Sequence, residues 1–145
     1  MRLITSIFLL LIGFTCFAQN ESTREVYEHH HEALLNQDLP ELLKDYDEES
    51  VLVTPDGKVQ KGLEQIRNTF EYAFKEMFPP NAEFKILQKV IEEEIVFLVY
   101  TTSDGETGEV YWKYAVDTFV IKDGKIKYQT VAIQLADGIS PPNQD

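Results

Sequence analysis

Across residues 22–37 (STREVYEHHHEALLNQ), Val26, Tyr27, His30, Ala33 and Leu34 recur at the i, i+3/i+4, i+7 spacing of one helical face, behind a Ser or Thr suited to capping. This predicts a first helix. Asp38 then caps a short second helix with Pro40 in its first turn and Leu42, Leu43 and Tyr46 as its buried side. Residues 50–54 (SVLVT) read as a strand, Pro55-Asp56-Gly57 as a turn and residues 58–61 as a returning strand, closed by Gly62. Leu63, Ile66, Phe70, Ala73, Phe74 and Met77 return to helical spacing until Pro79-Pro80 forbids continuation, giving a third, amphipathic helix.

Beyond the two prolines the period changes. Ala82, Phe84 and Ile86 alternate with polar neighbours, residues 95–102 (IVFLVYTT) are almost continuously apolar, residues 109–121 are long and aromatic, and residues 125–135 follow an Asp123-Gly124 turn. Glu92-Glu93-Glu94 and Ser103-Asp104-Gly105 supply the other connections. The pattern predicts four sequential antiparallel strands. Helices segregated on one face of such a sheet make an α+β architecture, and a twisted sheet curling around the third helix leaves a cone able to hold a ligand.

The N-terminus changes the picture of where the chain works. Met1-Arg2 precedes an apolar run from Leu3 to Phe17 that ends at Ala18, the layout of a secretory signal peptide. The run is shorter than the roughly 18 residues of a spanning helix, so cleavage after Ala18 is preferred over an anchor, with lipidation at Cys16 as the lesser branch. The expected organisation is a signal over 1–18, one domain over 19–136 and a disordered tail over 137–145, and the expected location is secreted or periplasmic. Cys16 is the only cysteine, so the mature chain has no thiol for disulfides, catalysis or metal binding. Loss of Arg2 leaves 12 basic against 25 acidic residues, a net charge of −13. Nucleic acid and anionic lipid need a basic patch and are poor partners for such a surface. No stable membrane insertion is expected.

Residues 37–70 (QDLPELLKDYDEESVLVTPDGKVQKGLEQIRNTF) and 117–133 (DTFVIKDGKIKYQTVAI) resemble the nuclear transport factor 2-like superfamily, in its SnoaL-like or ketosteroid isomerase-like branch. The resemblance spans nearly the whole mature chain. It implies a cone-shaped antiparallel curved sheet wrapped around a long helix, with two N-terminal helices, the nuclear transport factor 2-like or cystatin-like fold. That fold hosts isomerases, dehydratases, epoxide hydrolases, cyclases and non-catalytic binding domains. In ketosteroid isomerases the general base is an Asp at the end of the first strand, before a Pro; the corresponding place here is Thr54, before Pro55. The enolate-stabilising Tyr of the first helix falls at His30, and the protonated Asp of the long strand falls near Tyr114. Neither acid is present there, which argues against the isomerase mechanism.

The polar candidates that remain are His30, Thr54 and Tyr114, with Gln129. His29, His30 and His31 point roughly 100° apart on a helix and cannot converge on one ion, so no metal is expected, and no cofactor motif occurs. His30 shares the apolar stripe, either as a core histidine or as an acid/base in the pocket. On the long strand, Val110, Trp112, Tyr114, Val116, Thr118 and Val120 are expected to line the cone. Tyr111, Lys113, Asp117, Phe119 and Ile121 are expected outside, as a homodimer contact. A bulge would exchange the two faces and bring Asp117 inside as a candidate base. Tyr27, Phe70, Phe74, Trp112 and Gln129 complete the expected ligand-binding set. Three functions stay open: binding of a small apolar organic molecule, lyase, isomerase or hydrolase chemistry with His30 as acid/base, and a homodimeric interaction module.

Overall fold

The structure, a computed structural model, describes residues 22–78 and 81–138. The signal segment, Cys16, Pro79-Pro80 and most of the expected tail lie outside the described residues. None of the described helices is long and apolar enough to cross a membrane.

Helix α1 covers residues 22–35. It ends where Gln37 adopts a positive φ of 51°, with Asp38 N–H reaching Ala33 O and Gln37 N–H reaching Leu34 O. That pair of bonds satisfies carbonyls the helix end would leave bare. Asp38 then starts helix α2 (Leu39–Leu42), its carboxylate accepting from Glu41 N–H at 3.1 Å, and a 3₁₀ turn over Leu43–Asp45 follows. One tight corner thus places α1 against the chain that carries Tyr46.

Strands β1 (Val51–Val53) and β2 (Val59–Lys61) form the expected hairpin. Helix α3 (Gly62–Tyr72) continues into a π-helical turn over Ala73–Met77. The meander follows as β3 (Ala82–Glu92), β4 (Ile95–Asp104), β5 (Val110–Lys122) and β6 (Lys125–Leu135). Positive φ at Glu93, Asp123 and Gly124 permits the tight turns between these strands.

All six strands join one sheet in the order β2-β1-β6-β5-β4-β3. The meander and the hairpin are antiparallel as expected, but β1 lies parallel to β6, with Leu52 opposite Gln129. The sheet is therefore mixed at that one joint, because the chain enters β1 from α2 and returns to its side only after the whole meander. Tyr27, Leu42, Ile66, Phe70, Phe119 and Ile126 form the centre of the core between helices and sheet.

The register of β5 departs from simple alternation. Trp112 and Tyr114 oppose Leu135 and Gln134, two successive residues of β6, so β5 carries one extra residue between them. Beyond this bulge the inward side consists of Ala115, Asp117, Phe119 and Ile121, all buried, while Tyr114 is 46% exposed and Val116, Thr118 and Val120 are half-buried. Trp112 is inside as expected, but the rest of the face assignment is corrected: Val110 is exposed, Tyr114, Val116, Thr118 and Val120 lie on the outer face, and Ala115, Asp117, Phe119 and Ile121 lie on the inner one.

Candidate functional site

A cavity of about 410 Å³ opens between α3, its π turn, the β1–β2 hairpin and the inner face of β5 and β6. One face of α3 and its π turn supplies Gln65, Asn68, Thr69, Tyr72 and Ala73, spaced i, i+3, i+4, i+7, i+8, while Ile66 turns to the core and Phe70 borders both core and cavity. Met77 and Phe78 extend this wall. Opposite them stand Leu52, Trp112, Val131 and Ile133. Phe78 meets Trp112 edge-on at 5.3 Å between centroids, and Trp112 lies 6.2 Å from Tyr100, so aromatic rings pack along one side.

Three buried polar side chains, Tyr100, Asp117 and Gln129, meet at the inner end of this space, and a fourth, Tyr46, joins them through Gln129. The Tyr100 hydroxyl donates to Asp117 Oδ1 at 3.4 Å, Gln129 Nε2 donates to Asp117 Oδ2 at 3.5 Å, and the Tyr46 hydroxyl donates to Gln129 Oε1. Asp117 and Gln129 are nearly inaccessible, at 6% and 3% exposure. Burial drives the Asp117 carboxyl up from 3.8 to about 7, against the opposing pull of its bonds from Tyr100 and Gln129. The same burial, with the neighbouring Asp117 charge, holds the Tyr46 and Tyr100 phenols well above their usual range. This end of the cavity therefore holds a carboxyl that changes state near neutrality, flanked by phenols that remain protonated.

The residues expected to do the chemistry do not assemble. His30 is buried and packs edge-on against Tyr46, Phe70 and Phe119 at 5.4–6.1 Å, and it faces a separate void of about 20 Å³ behind Asp117. Burial, with the charges of His31 and His29, lowers its imidazole to about 3, so it stays neutral. Its Nδ1 has no hydrogen-bond partner and lies 3.8 Å from Asp45 Oδ2. Thr54 stands at the cavity mouth, its hydroxyl donating to Asp56 and to Lys58 O. Tyr114 is on the outer face. His30, Thr54 and Tyr114 thus lie in three different places, and the bulge puts Asp117 on the cavity instead.

Of the expected ligand-binding set, Phe70, Trp112 and Gln129 line the cavity. Tyr27 lines the small void, and Phe74 packs between Phe70 and Phe78. The other histidines also separate: His29 bonds Asp45 through Nδ1 at 2.8 Å, and His31 stacks on Tyr27 at 5.7 Å. Among the described residues, no group of three or more His, Cys, Asp or Glu side chains is placed to hold a metal ion. Tyr100 escaped sequence reasoning, although the alternation of Val96, Leu98, Tyr100 and Thr102 within the apolar strand marks the side it shares with the core.

The profile of the SnoaL-like domain matches residues 27–129, most of the chain and every element from α1 to the middle of β6. The chain belongs to the SnoaL-like domain family. Solved structures agree on the nuclear transport factor 2-like fold. An NTF2-like protein of unknown function from Cytophaga hutchinsonii superposes with a TM-score of 0.59 at 19% identity, over 77% of this chain and 89% of that one. A protein of Kribbella flavida provisionally described as a ketosteroid isomerase gives 0.63 at 14% identity, over 86% of each chain. One from Shewanella putrefaciens provisionally described as a SnoaL-like polyketide cyclase gives 0.62 at 15% identity, over 77% of this chain and 79% of that one. No protein of curated function matches this SnoaL-like chain significantly by sequence.

Proposed function

We propose that this SnoaL-like protein binds a small, largely apolar organic molecule in the cavity and that Asp117 exchanges a proton with it. The observation that carries this reading is the placement of Asp117: a carboxyl at the buried end of an apolar space, held by two neutral donors and poised to ionise near pH 7. A base whose proton affinity matches the operating pH combines the correct charge state with driving force. The carboxylate takes a proton from a carbon beside a carbonyl and returns it to the product, as in an isomerisation, elimination or ring closure. The provisional cyclase and isomerase descriptions of similar folds agree with chemistry on small organic molecules.

The test uses 2-decalone and related enolisable ring ketones in deuterated buffer. Exchange of the protons next to the carbonyl, followed by NMR, is expected to exceed the buffer rate and to rise as pH increases through about 7. Asp117→Asn is expected to return it to the buffer rate. Ketones that bind but exchange no faster than in buffer overturn the proton-transfer part. Absence of binding across the panel overturns the cavity reading itself.

The outer sheet face supports a homodimer as a further part of this proposal. Ile95, Val120 and Tyr128 lie in one row across β4, β5 and β6, with Ile95 48% and Tyr128 57% exposed, and Val90 and Tyr114 add to the exposed apolar surface. Sedimentation is expected to give a dimer that Val120→Lys converts to monomer, and a monomeric parent protein refutes it. Export through the N-terminal apolar segment is likewise proposed, with N-terminal sequencing of the mature protein expected to begin at Gln19.

A further inference from the structure

The cavity is polarised along its length. Its mouth is formed by Thr54, Asp56 and Lys58 of the hairpin, Gln60 of β2, and Gln65 and Asn68 of α3. Two of these six are charged, and they are paired with each other: Lys58 Nζ lies 3.0 Å from Asp56 Oδ2. Asp56 also accepts from the Thr54 hydroxyl and from Lys58 N–H, and these bonds hold its carboxyl down at about 2. The hairpin tip therefore presents a closed ion pair. The remaining groups are three primary amides and a hydroxyl; the Thr54 proton is given to Asp56 and the Gln65 oxygen accepts from Lys61 N–H at 2.9 Å, so Gln60 and Asn68 are the two amides left to offer a ligand both a donor and an acceptor.

We infer that the mouth is a second recognition subsite, selecting a ligand whose outer end is uncharged and hydroxylated, with Gln60 and Asn68 as its specificity-determining residues. The inference rests on the cavity reading above and adds the chemistry of the ligand's far end. Amides from β2 and α3 face the opening from two sides, and hydroxyl groups are the partners whose donor and acceptor capacity an amide matches fully. A carboxylate in the same place meets a lysine already paired with Asp56 and approaches a chain with a large excess of acidic residues. Among the described residues at the mouth, an ammonium meets amides and a carboxylate, Asp56, already paired with Lys58, and must shed its hydration to enter. The ligand then lies with its ring body along Trp112, Phe78, Val131 and Ile133, its reactive end at Asp117 and its hydroxyl end at the mouth.

The experiment compares 2-decalone with its 6-hydroxy, 6-carboxylate and 6-ammonium derivatives, titrated against the fluorescence of Trp112, the single tryptophan of the chain. The 6-hydroxy ketone is expected to bind roughly fivefold more tightly than the parent ketone, the worth of one well-made hydrogen bond, and both ions more weakly. In the double variant Gln60→Leu, Asn68→Leu the hydroxyl advantage is expected to fall to near one. If the parent ketone binds but the hydroxyl adds nothing, if either ion binds most tightly, or if the advantage survives in the double variant, the subsite is refuted and the cavity reading stands. If no ketone of the series binds, the cavity reading falls and this inference falls with it.

Discussion

Trp112 and Asp117 sit five residues apart on one strand and face the same cavity, a spacing that uninterrupted alternation forbids. The extra residue at the Lys113-Tyr114 bulge reconciles them. It lets β5 present an indole to the aromatic wall near one end and a carboxyl to the buried end a few residues on. Bulges commonly re-aim side chains beside functional sites, and this one decides which acid lies at the buried end of the cavity.

Deleting Lys113 tests that relationship. Without the extra residue, either Trp112 or the Ala115–Ile121 set turns to solvent. Expelling the indole alone costs on the order of 3 kcal/mol or more. The melting temperature of the deletion variant is expected to fall by about 10 °C or more, and fluorescence to report an exposed tryptophan if Trp112 is the side that yields. Lys113→Ala, which keeps the residue count and removes an exposed side chain, is expected to melt within a few degrees of the parent.

Asp117 sets a pH dependence of known sign. Its carboxyl ionises at about 7 when folded and at 3.8 when exposed, so between those values the folded chain holds more protons than the unfolded one. Stability therefore falls as pH rises from about 4 to about 7 and carries the full penalty above, on the order of 4 kcal/mol. Asp117→Asn removes the titration. Denaturant unfolding is expected to show the variant more stable than the parent at pH 8 and the difference narrowing toward pH 4. A variant less stable at pH 8 would show that the carboxylate is better accommodated than its burial implies.

Much of the fold was legible because its determinants are local. The helical stripes, the hairpin turn, the Asp123-Gly124 turn and the double proline each act within a few residues, and the order of elements follows from them. The parallel joint of β1 and β6 was not legible, since Leu52 and Gln129 are brought together only by the tertiary structure. The site was half legible. Trp112, Gln129, Phe70 and Thr54 lie on the cavity, but alternation read straight through the bulge put Asp117 outside and Tyr114 inside. Nothing in Tyr111-Trp112-Lys113-Tyr114 marks the extra residue, because a bulge of ordinary residues carries no glycine or proline. His30 shares the apolar stripe, and its ring fills the space between Tyr46, Phe70 and Phe119.

His30 gives a second pH dependence. Its imidazole protonates at about 3 in the folded chain against 6.5 when exposed, so its contribution is intact above pH 6.5 and is lost as pH falls toward 3. The gap corresponds to on the order of 5 kcal/mol at the acid limit. His30→Leu retains the burial and cannot be charged. Its stability relative to the parent is expected to rise steadily between pH 6.5 and pH 4, whatever packing loss it shows at neutrality. A relative stability flat over that range would mean that the imidazole is charged in the folded chain through Asp45, 3.8 Å away.

Tyr46 fixes the orientation of the amide that faces Asp117. Its hydroxyl donates to Gln129 Oε1, which leaves Nε2 to donate to Asp117 Oδ2 and favours the ionised carboxylate. In Tyr46→Phe the amide is free to turn and offer its oxygen instead, a partner that only a protonated carboxyl satisfies. The pH midpoint of Asp117-dependent exchange with 2-decalone is expected to move upward in this variant, and upward again in Gln129→Leu, where no amide remains. The loss of one buried hydrogen bond costs stability by about 1 kcal/mol, so the folded chain persists and the profile remains measurable. A midpoint that stays at the parent value in both variants would show that Gln129 does not reach the carboxylate while ligand is bound, and would leave Tyr100 as the group that stabilises its charge.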